Sequence, residues 1–434
     1  MFLARLLVLF SLVCISCAHS SFEQKQLKHA LDFATSNRLE LEILLQHYTY
    51  DSLKLEAAKF LIRNMPHCYS YQQGGEMDSV KRVRTYYSPF GQIDQTYARR
   101  WGHYTYRNLL KIYDAHIITA EYLIDNIDRA FDNWQKRPWN RSLSFEDFCE
   151  YLLPYRIGDE PLEEWRELYE KKYGYLLDSI YKGGDVVEAA NLVSRHLQEP
   201  VFIYCEDFEL PHIGPRYLFS HRYGSCVDAA DIVTYAFRAV GIPCMEDTDA
   251  RGGHVWNVVR DTTGRDVPIW YIASEAVRGS RDTGGYKRGK VYRPMYGFQE
   301  EKAAHLGDDW KSMPLLFYHP YMKDVSYAYY PDTLRILTGI PDDEVCYLAH
   351  FHEAHWWSCA CARSASGKME IPNLESELVY LPMKYTKGNY YPSGFPFWFA
   401  GGEINTFLPD WEKTVKVRLY RKYPVYGWLR SFMG

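Results

Sequence analysis

A helix that begins at a cysteine is the strongest structural signal in this sequence. Ser225 and Asp228 have the spacing of a capping box, which predicts that a helix begins at Cys226. Gly241 followed by Pro243 predicts where that helix ends, because this pair stops helical structure. A thiol in the first turn of a helix lies near unpaired N–H groups and the positive end of the dipole. Both of these features favour the thiolate.

A histidine follows at a spacing that suits a partner for this thiol. His254 precedes residues 255–259, a short β-rich run that is expected to form a strand. A strand can hold an imidazole rigidly against the start of a helix, and a Cys–His pair is the minimal nucleophile-plus-base unit for acyl chemistry. We therefore predict that Cys226 is a nucleophile and His254 is its base. The alternative is that Cys226 is a small core residue in an inactive scaffold.

Size and composition describe a globular protein of several domains. The chain has 434 residues, enough for two or three domains, with 47% hydrophobic and 24% charged residues. A formal net charge of -5 argues against a nucleic-acid partner.

The N-terminus has the features of a targeting segment. Residues 1–16 are expected to be a signal peptide, because residues 6–15 form an apolar run too short to span a bilayer. Cys17 follows a small residue, an arrangement that resembles a bacterial lipoprotein processing site. We predict that Cys17 carries a lipid anchor to a membrane, with plain secretion as the alternative. The protein is then exported to the cell envelope, on its periplasmic side or facing outward.

Hydrophobic periodicity predicts an α+β protein with three parts after the leader. Residues 17–184 are expected to form a helical domain, with helices over 39–48, 53–62, 145–153 and 162–177. Residues 185–292 should form a mixed α+β core. Residues 293–434 should form an antiparallel β-sandwich, with strands over 325–330, 345–351, 378–385 and 415–420.

Three segments together resemble a known family. Residues 224–226, residues 238–243 and the run Gly253-His254-Val255-Trp256-Asn257 are similar to the core of the transglutaminase-like superfamily, which is related to papain-type cysteine proteases. Residues 148–156 and 289–293 carry a wider similarity to exported transglutaminase-like proteins of Bacteroides-type bacteria. The resemblance implies a papain-like core between a helical N-terminal domain and a β-rich C-terminal domain.

The resemblance also implies a reaction and a set of residues. Cys226 would be the nucleophile and His254 the base of a hydrolase or acyltransferase that acts on peptide or amide bonds through an acyl-enzyme. The family places an acid on the strand after the histidine, but residues 269–271 contain none. Asp266 is our first choice for the third residue and Glu275 is its rival. A peptide or protein substrate is implied, and no metal or organic cofactor is expected.

Two other groups of residues have competing interpretations. One group of histidines and cysteines lacks a compact zinc spacing, so we favour a solvent-facing strand edge over a metal site. It comprises His350, His352, His355, Cys359 and Cys361. Aromatic residues at 390–391 and 395–399 would suit an inactive transglutaminase-like surface module that binds protein or glycan, or else form a buried corner.

Overall fold

The computed structural model has mixed α+β structure, which confirms the predicted class. It describes residues 21–75, 77–79, 81–82, 106–199, 201–204, 210–271, 274–281, 287–300, 313–337, 340–352 and 355–413. The predicted leader, Cys17 and the predicted strand over 415–420 lie outside the described residues. Within the described ranges, no helix has both the length and the apolar character needed to cross a membrane.

Helices dominate the first half of the described chain. They are α1 (residues 21–33), α2 (Arg38–His47), α3 (Ser52–Asn64), α4 (Ala120–Lys136), α5 (Phe145–Tyr151), α6 (Arg166–Tyr175), α7 (Val186–Leu197), α8 (Pro215–Ser220) and α9 (Cys226–Ala239), followed later by α10 (Leu315–Tyr318). A π-helical turn over Leu176–Ile180 extends α6. The helices predicted over 39–48, 53–62, 145–153 and 162–177 are confirmed, with ends that differ by a few residues.

The described strands between Tyr69 and Asp324 form two small pairs and one five-stranded sheet. β1 (Tyr69–Tyr71) pairs with β2 (Lys111–Tyr113), and β3 (Ile203–Tyr204) with β4 (Tyr223–Gly224). The five-stranded sheet is antiparallel, in the order β7-β6-β5-β8-β9. Its strands are β5 (Cys244–Asp249), β6 (Val255–Arg260), β7 (Asp266–Ile269), β8 (Val291–Pro294) and β9 (Met322–Asp324).

The C-terminal region is antiparallel throughout its described strands. A six-stranded sheet has the order β12-β11-β14-β16-β17, with β15 paired to β14, and β10 pairs separately with β13. The strands are β10 (Asp332–Leu337), β11 (Val345–His352), β12 (His355–Arg363), β13 (Lys368–Leu374), β14 (Leu378–Thr386), β15 (Asn389–Pro392), β16 (Phe397–Ala400) and β17 (Glu403–Thr406).

The strand predictions for this region have mixed outcomes. Strands over 345–351 and 378–385 are confirmed by β11 and β14. The strand predicted over 325–330 is wrong, because Ser326–Ala328 forms a 3-10 turn. The Asp324 side chain accepts a hydrogen bond from the Ser326 N–H at 2.9 Å, and this local bond turns the chain out of the sheet.

Helix α9 lies at the centre of the molecule. Every one of its residues is buried, as is typical of a helix packed on all sides. Its last carbonyls accept hydrogen bonds from side chains of an earlier segment. Asn133 donates to Ala239 O at 3.1 Å, Arg137 donates to Val240 O at 2.8 Å, and Trp139 donates to Gly241 O at 2.9 Å. These side chains satisfy the end of the helix, where backbone carbonyls have no helical partner.

Hydrophobic packing does not follow the boundary expected near residue 184. The core around α9 includes Tyr169 of α6 and Val193 of α7, which lie on either side of that position. A second core contains residues of α1 to α5 together with Tyr296, which follows β8. A third core holds the C-terminal sheets and includes Tyr292 of β8. The helical segment from α6 onward therefore packs with the predicted core.

Candidate functional site

The predicted nucleophile is the first residue of α9. The Ser225 N–H and hydroxyl both donate to Asp228 Oδ2, at 2.8 and 3.1 Å, so the capping box places the start of the helix at Cys226. Only 2% of Cys226 is exposed, and it forms no disulfide with any described cysteine. The thiol therefore lies at the end of a helix and beneath the protein surface. The partial exposure that an open active site would give is not seen.

Strand β5 runs back along α9 from the end of the helix. Arg238, in the last turn, donates to Cys244 O at the start of β5, at 3.2 Å. One turn earlier, the Thr234 hydroxyl donates to Glu246 Oε1 at 2.7 Å. Contacts that move backward along the helix thus move forward along the strand, so β5 and α9 are antiparallel.

Strand β6 is antiparallel to β5 and therefore runs in the direction of α9. Asn257 Nδ2 donates to Ala230 O at 3.1 Å, which ties β6 to the first half of the helix. His254 directly precedes β6. It therefore lies at the same end of the helix–sheet layer as Cys226, and the topology brings the two predicted residues to one end of the fold.

A buried turn carries His254 into position. Asp249 Oδ1 accepts from the Arg251 and Gly253 N–H groups at 3.0 and 2.8 Å. The Thr248 hydroxyl donates to His254 O at 3.1 Å. His254 is 6% exposed. These bonds fix the backbone on which the histidine ring is carried.

Two tryptophans flank the His254 ring. Trp270 meets it edge to face, with centroids 4.7 Å apart and planes at 77°, and Trp256 lies 5.6 Å away at 31°. Asn257 pairs with Ile269 in this antiparallel hairpin. One residue further from the turn, Trp256 therefore lies opposite Trp270. Trp270 thus occupies the region where the family would place an acid. The sequence shows that no acid is present at this place, but it did not indicate that Trp270 lies next to the imidazole.

Asp266 is not brought to His254. It pairs with Arg260 at the turn end of the β6–β7 hairpin, roughly 20 Å along the strand from the histidine at about 3.3 Å per residue. Its carboxylate accepts from Tyr151 Oη at 2.9 Å and from Arg293 Nη1 at 2.8 Å. Our first choice for the third residue is therefore corrected, because ionic and hydroxyl partners hold Asp266 at the other end of the hairpin.

Glu275 is also engaged elsewhere. Its carboxylate forms an ion pair with Arg195 of α7 at 2.6 Å, and its side chain is 54% exposed. An exposed carboxylate held by a surface arginine is poorly suited to orienting a buried imidazole. Neither predicted acid therefore has a described contact with His254.

Asp266 belongs to a buried polar network under the sheet. Arg293 of β8 bridges Asp266 and Asp247, with Arg293 Nε donating to Asp247 Oδ1 at 2.5 Å. Asp247 Oδ2 accepts from Tyr329 Oη at 2.7 Å, and that hydroxyl accepts from Trp256 Nε1 at 2.9 Å. The network connects the turn end of the hairpin to one of the tryptophans that flank His254.

The histidine and cysteine group of the C-terminal sheet lies on the paired strands β11 and β12. Among the described residues, no set of three His, Cys, Asp or Glu side chains has metal-binding geometry. His350 is fully buried, so our expectation of a solvent-facing edge is wrong for this residue. Burial lowers the pKa of His350 to about 4, so its imidazole is neutral near pH 7.

The predicted aromatic patch is divided by the alternation of its strand. Phe397 and Phe399 are fully buried, whereas Tyr391, Phe395 and Trp398 are exposed. Successive side chains of β16 point to opposite faces of the sheet, so one face joins the core and the other meets solvent. Part of the patch is thus a buried corner and part is a surface.

Comparisons with known proteins return no relative. No protein-family model, no curated protein and no solved structure matches this chain.

Proposed function

We propose that the chain is an exported transglutaminase-like cysteine hydrolase or acyltransferase that acts on amide or peptide bonds. The observation that carries this proposal is the position of Cys226 and His254 at the same end of the α9–β6 layer. In this proposal α9 with β5, β6 and β7 is the papain-like core. The earlier helices and the later β-sandwich flank it.

The chemistry needs only groups of this chain. His254 takes the proton of the Cys226 thiol, and the thiolate sulfur attacks the carbonyl carbon of the substrate. The Cys226 N–H at the start of α9 faces the developing oxyanion. His254 then gives the proton to the leaving amine as the C–N bond breaks, which leaves a thioester on Cys226. Water releases an acid, or a second amine forms a new amide, and the thiol is regenerated.

In the proposed site, the surroundings of His254 contribute to the orientation of its ring. An acid orients the imidazole in related chemistry and stabilises its charged form. Here the edge of Trp270 meets the ring at 4.7 Å, and the backbone of His254 is held by Thr248. We infer that this packing and the backbone bond help to orient the imidazole for the reaction.

Alkylation by iodoacetamide tests the nucleophile against simple exposure. Cys361 is more exposed than Cys226, so exposure alone predicts faster reaction at Cys361. Burial raises the pKa of Cys244 to about 12, so Cys244 serves as the unreactive reference. Mass spectrometry should find the fastest modification at Cys226 in the intact chain and the loss of that advantage in His254→Ala. Faster reaction at Cys361, or no effect of His254→Ala, would reject the activated thiol.

A second candidate function is that of an inactive module that binds protein or glycan. The exposed aromatic side chains Tyr391, Phe395 and Trp398 favour it. A binding module predicts that Trp398→Ala weakens adhesion to a peptide or glycan array while Cys226→Ala does not. If the chain is a cysteine enzyme, Cys226→Ala should lower turnover of an amide substrate and Trp398→Ala should not.

The lipid anchor at Cys17 remains part of the proposal. Several acyl chains hold a protein on a membrane far more firmly than one. Cys17→Ala should move the protein from the membrane fraction to the soluble fraction, as measured by fractionation and blotting. An unchanged membrane pool would show that another segment anchors the chain.

A further inference from the structure

A fully buried histidine lies where the C-terminal sheet meets the turn that carries His254. His350 belongs to β11 and has no exposed surface. Neither of its ring nitrogens has a hydrogen-bond partner among the described residues. A neutral imidazole can be buried in this way at a modest cost in free energy, whereas an imidazolium without a partner is far less stable. This position therefore suits only the uncharged ring.

The backbone just before β8 packs directly against the ring. Gly289 has a φ of +74°, and a Cβ at this position would lie 3.0 Å from His350 Nδ1 and 3.0 Å from Cys359 Sγ. The Gly289 N–H donates to the Glu375 carboxylate at 2.9 Å, and the Gly289 carbonyl accepts from the Glu375 N–H at 3.0 Å. Glu375 thus holds the glycine against the imidazole and the thiol.

The turn before His254 supplies the nearest charges. Arg251 opposes a positive charge on His350, and Asp249 favours one to a smaller extent. Asp249 Oδ2 accepts from Arg251 Nη2 at 2.7 Å, while Oδ1 accepts from N–H groups of the turn. The carboxylate of Asp249 is therefore already paired with Arg251, and a protonated His350 would add a second cation beside that pair.

The titratable groups on the neighbouring strands offer no compensating charge. The His352 ring lies 6.4 Å from the His350 ring and opposes its protonation. Tyr380 of β14, which pairs with His350 in the sheet, donates its hydroxyl to Glu375 O at 2.8 Å. Burial raises the pKa of the Cys359 thiol on β12 well above its usual value, so this group is also uncharged.

The segment around Gly289 contributes cations whose partners lie elsewhere. Lys290 Nζ donates to Asp324 Oδ2 at 2.7 Å. The Arg288 guanidinium lies over the Trp256 ring, 4.6 Å from its centroid. Among its described residues the segment therefore brings no free anion to His350, and a charged imidazole would gain no ion pair from it.

These surroundings set the direction in which acid acts. Burial, assisted by Arg251, lowers the pKa of His350 from 6.5 to about 4. Above pH 6.5 the ring is neutral whether it is buried or exposed. As the pH falls from 6.5 towards 4, an exposed ring gains a proton that the buried ring does not, so the stabilisation of the closed contact is progressively lost. A state that exposes His350 is thus about twentyfold more favoured at pH 5 than at pH 7.

We propose that the contact between β11, Gly289 and the His254 turn is an acid-sensitive device that opens locally when His350 is exposed and protonated. Local opening of this kind leaves the core around α9 folded. The turn that carries His254 borders the contact, so its opening would reach the proposed catalytic histidine. The inference concerns the scaffold and holds whether or not Cys226 is a nucleophile.

Two buried cysteines allow local opening to be distinguished from global unfolding. Cys359 lies beside Gly289 and reports the proposed contact, whereas Cys244, at the end of β5 far from the turn, reports the core around α9. Both are fully buried. A site-specific readout is needed because burial also lowers the pKa of His67, to about 3, which makes overall stability depend on acid as well.

The experiment follows modification of the full chain by 4,4′-dithiodipyridine, a disulfide that reacts with thiols in acid, with mass spectrometry to locate the product. Each rate is divided by the rate for the same cysteine in the urea-unfolded chain at the same pH. Between pH 7 and pH 5 the corrected rate at Cys359 should rise about twentyfold, as one proton is taken up, while that at Cys244 stays low.

Variants of His350 then identify the group that takes up the proton. His350→Phe and His350→Asn cannot gain it, so the corrected rate at Cys359 should change by less than about twofold between pH 7 and pH 5. His47→Gln, which replaces an exposed histidine at the end of α2, is the matched control and should behave like the unmodified chain.

Four results would overturn the proposal. They are no acid acceleration at Cys359 in the unmodified chain, equal acceleration at Cys359 and Cys244, full acceleration in a folded His350 variant, and loss of the acceleration in His47→Gln. If neither His350 variant folds, the unmodified chain still decides, because acceleration confined to Cys359 must follow the uptake of a single proton.

Discussion

The two ends of the β6–β7 hairpin have different surroundings, aromatic at one end and ionic at the other. At the open end, His254 lies between Trp256 and Trp270 and meets aromatic surface. At the turn end, Asp266 is held by Arg260, Arg293 and Tyr151. The acid that a Cys–His–Asp arrangement would need is present on the hairpin but serves the scaffold. A carboxylate that is close to a histidine in sequence therefore need not contact it, because the partners of the carboxylate determine where it lies.

Asp266→Asn should produce the largest effect, and it should be on stability. The Asp266 side chain is 2% exposed, and its removal leaves the buried Arg293 with one carboxylate fewer. Breaking a buried ion pair from one side typically costs 3 kcal/mol or more, so we expect a loss of about 3 kcal/mol in unfolding free energy. Urea denaturation measures this loss.

The reactivity of Cys226 in the same variant decides the comparison. Alkylation of folded Asp266→Asn should proceed at the unmodified rate, because this carboxylate lies at the far end of the hairpin. Normal stability together with slow alkylation would mean that Asp266 orients His254 after all.

Trp270→Leu should slow alkylation of Cys226 by about tenfold. An edge-to-face aromatic pair contributes up to about 1.5 kcal/mol, and losing it frees the His254 ring to rotate. Trp270→Phe retains an aromatic edge and is the matched control, with a rate close to that of the unmodified chain. Similar slowing in both variants would assign the effect to volume rather than to ring geometry.

Tyr329→Phe should lower unfolding free energy by about 1 kcal/mol, as for a typical buried hydrogen bond. The lost hydroxyl links Trp256 Nε1 to Asp247, and the phenyl ring keeps its packing. Thermal unfolding detects a change of this size. No change at all would show that the two ends of the hairpin are not connected through this network.

Glu275→Gln should have the smallest effect. Its pair with Arg195 is exposed on both sides, and such pairs contribute from about 0 to 1 kcal/mol. Stability and Cys226 alkylation should both remain near those of the unmodified chain. A strong loss of alkylation here would identify Glu275 as an orienting acid that moves inward on reaction.

Local signals in the sequence predicted much of the site. The capping box places the start of α9 at Cys226 because Ser225 and Asp228 interact within a single turn. The strand after His254 is likewise predicted by its β-rich composition. Both features depend on residues close together in the chain, so they need no knowledge of the tertiary fold.

The surroundings of the histidine depended on contacts that are distant in sequence. Asp266 is held by Tyr151 of α5 and by Arg293 of β8, which no local pattern connects to the hairpin. Ser326 likewise bonds back to Val291, which contributes to the turn where a strand was predicted. The rest of the site could not be predicted because its partners come from separate regions of the chain.

The capped end of α9 has a consequence for the order in which the chain folds during synthesis. The carbonyls of Ala239, Val240 and Gly241 bind side chains of Asn133, Arg137 and Trp139, about a hundred residues earlier. The segment that contains these side chains leaves the ribosome before α9, so the carbonyls that accept its hydrogen bonds are not yet present. Closing so long a loop is slow, and apolar side chains remain open to solvent meanwhile. Nascent chains released before α9 emerges should therefore be the ones that need a chaperone.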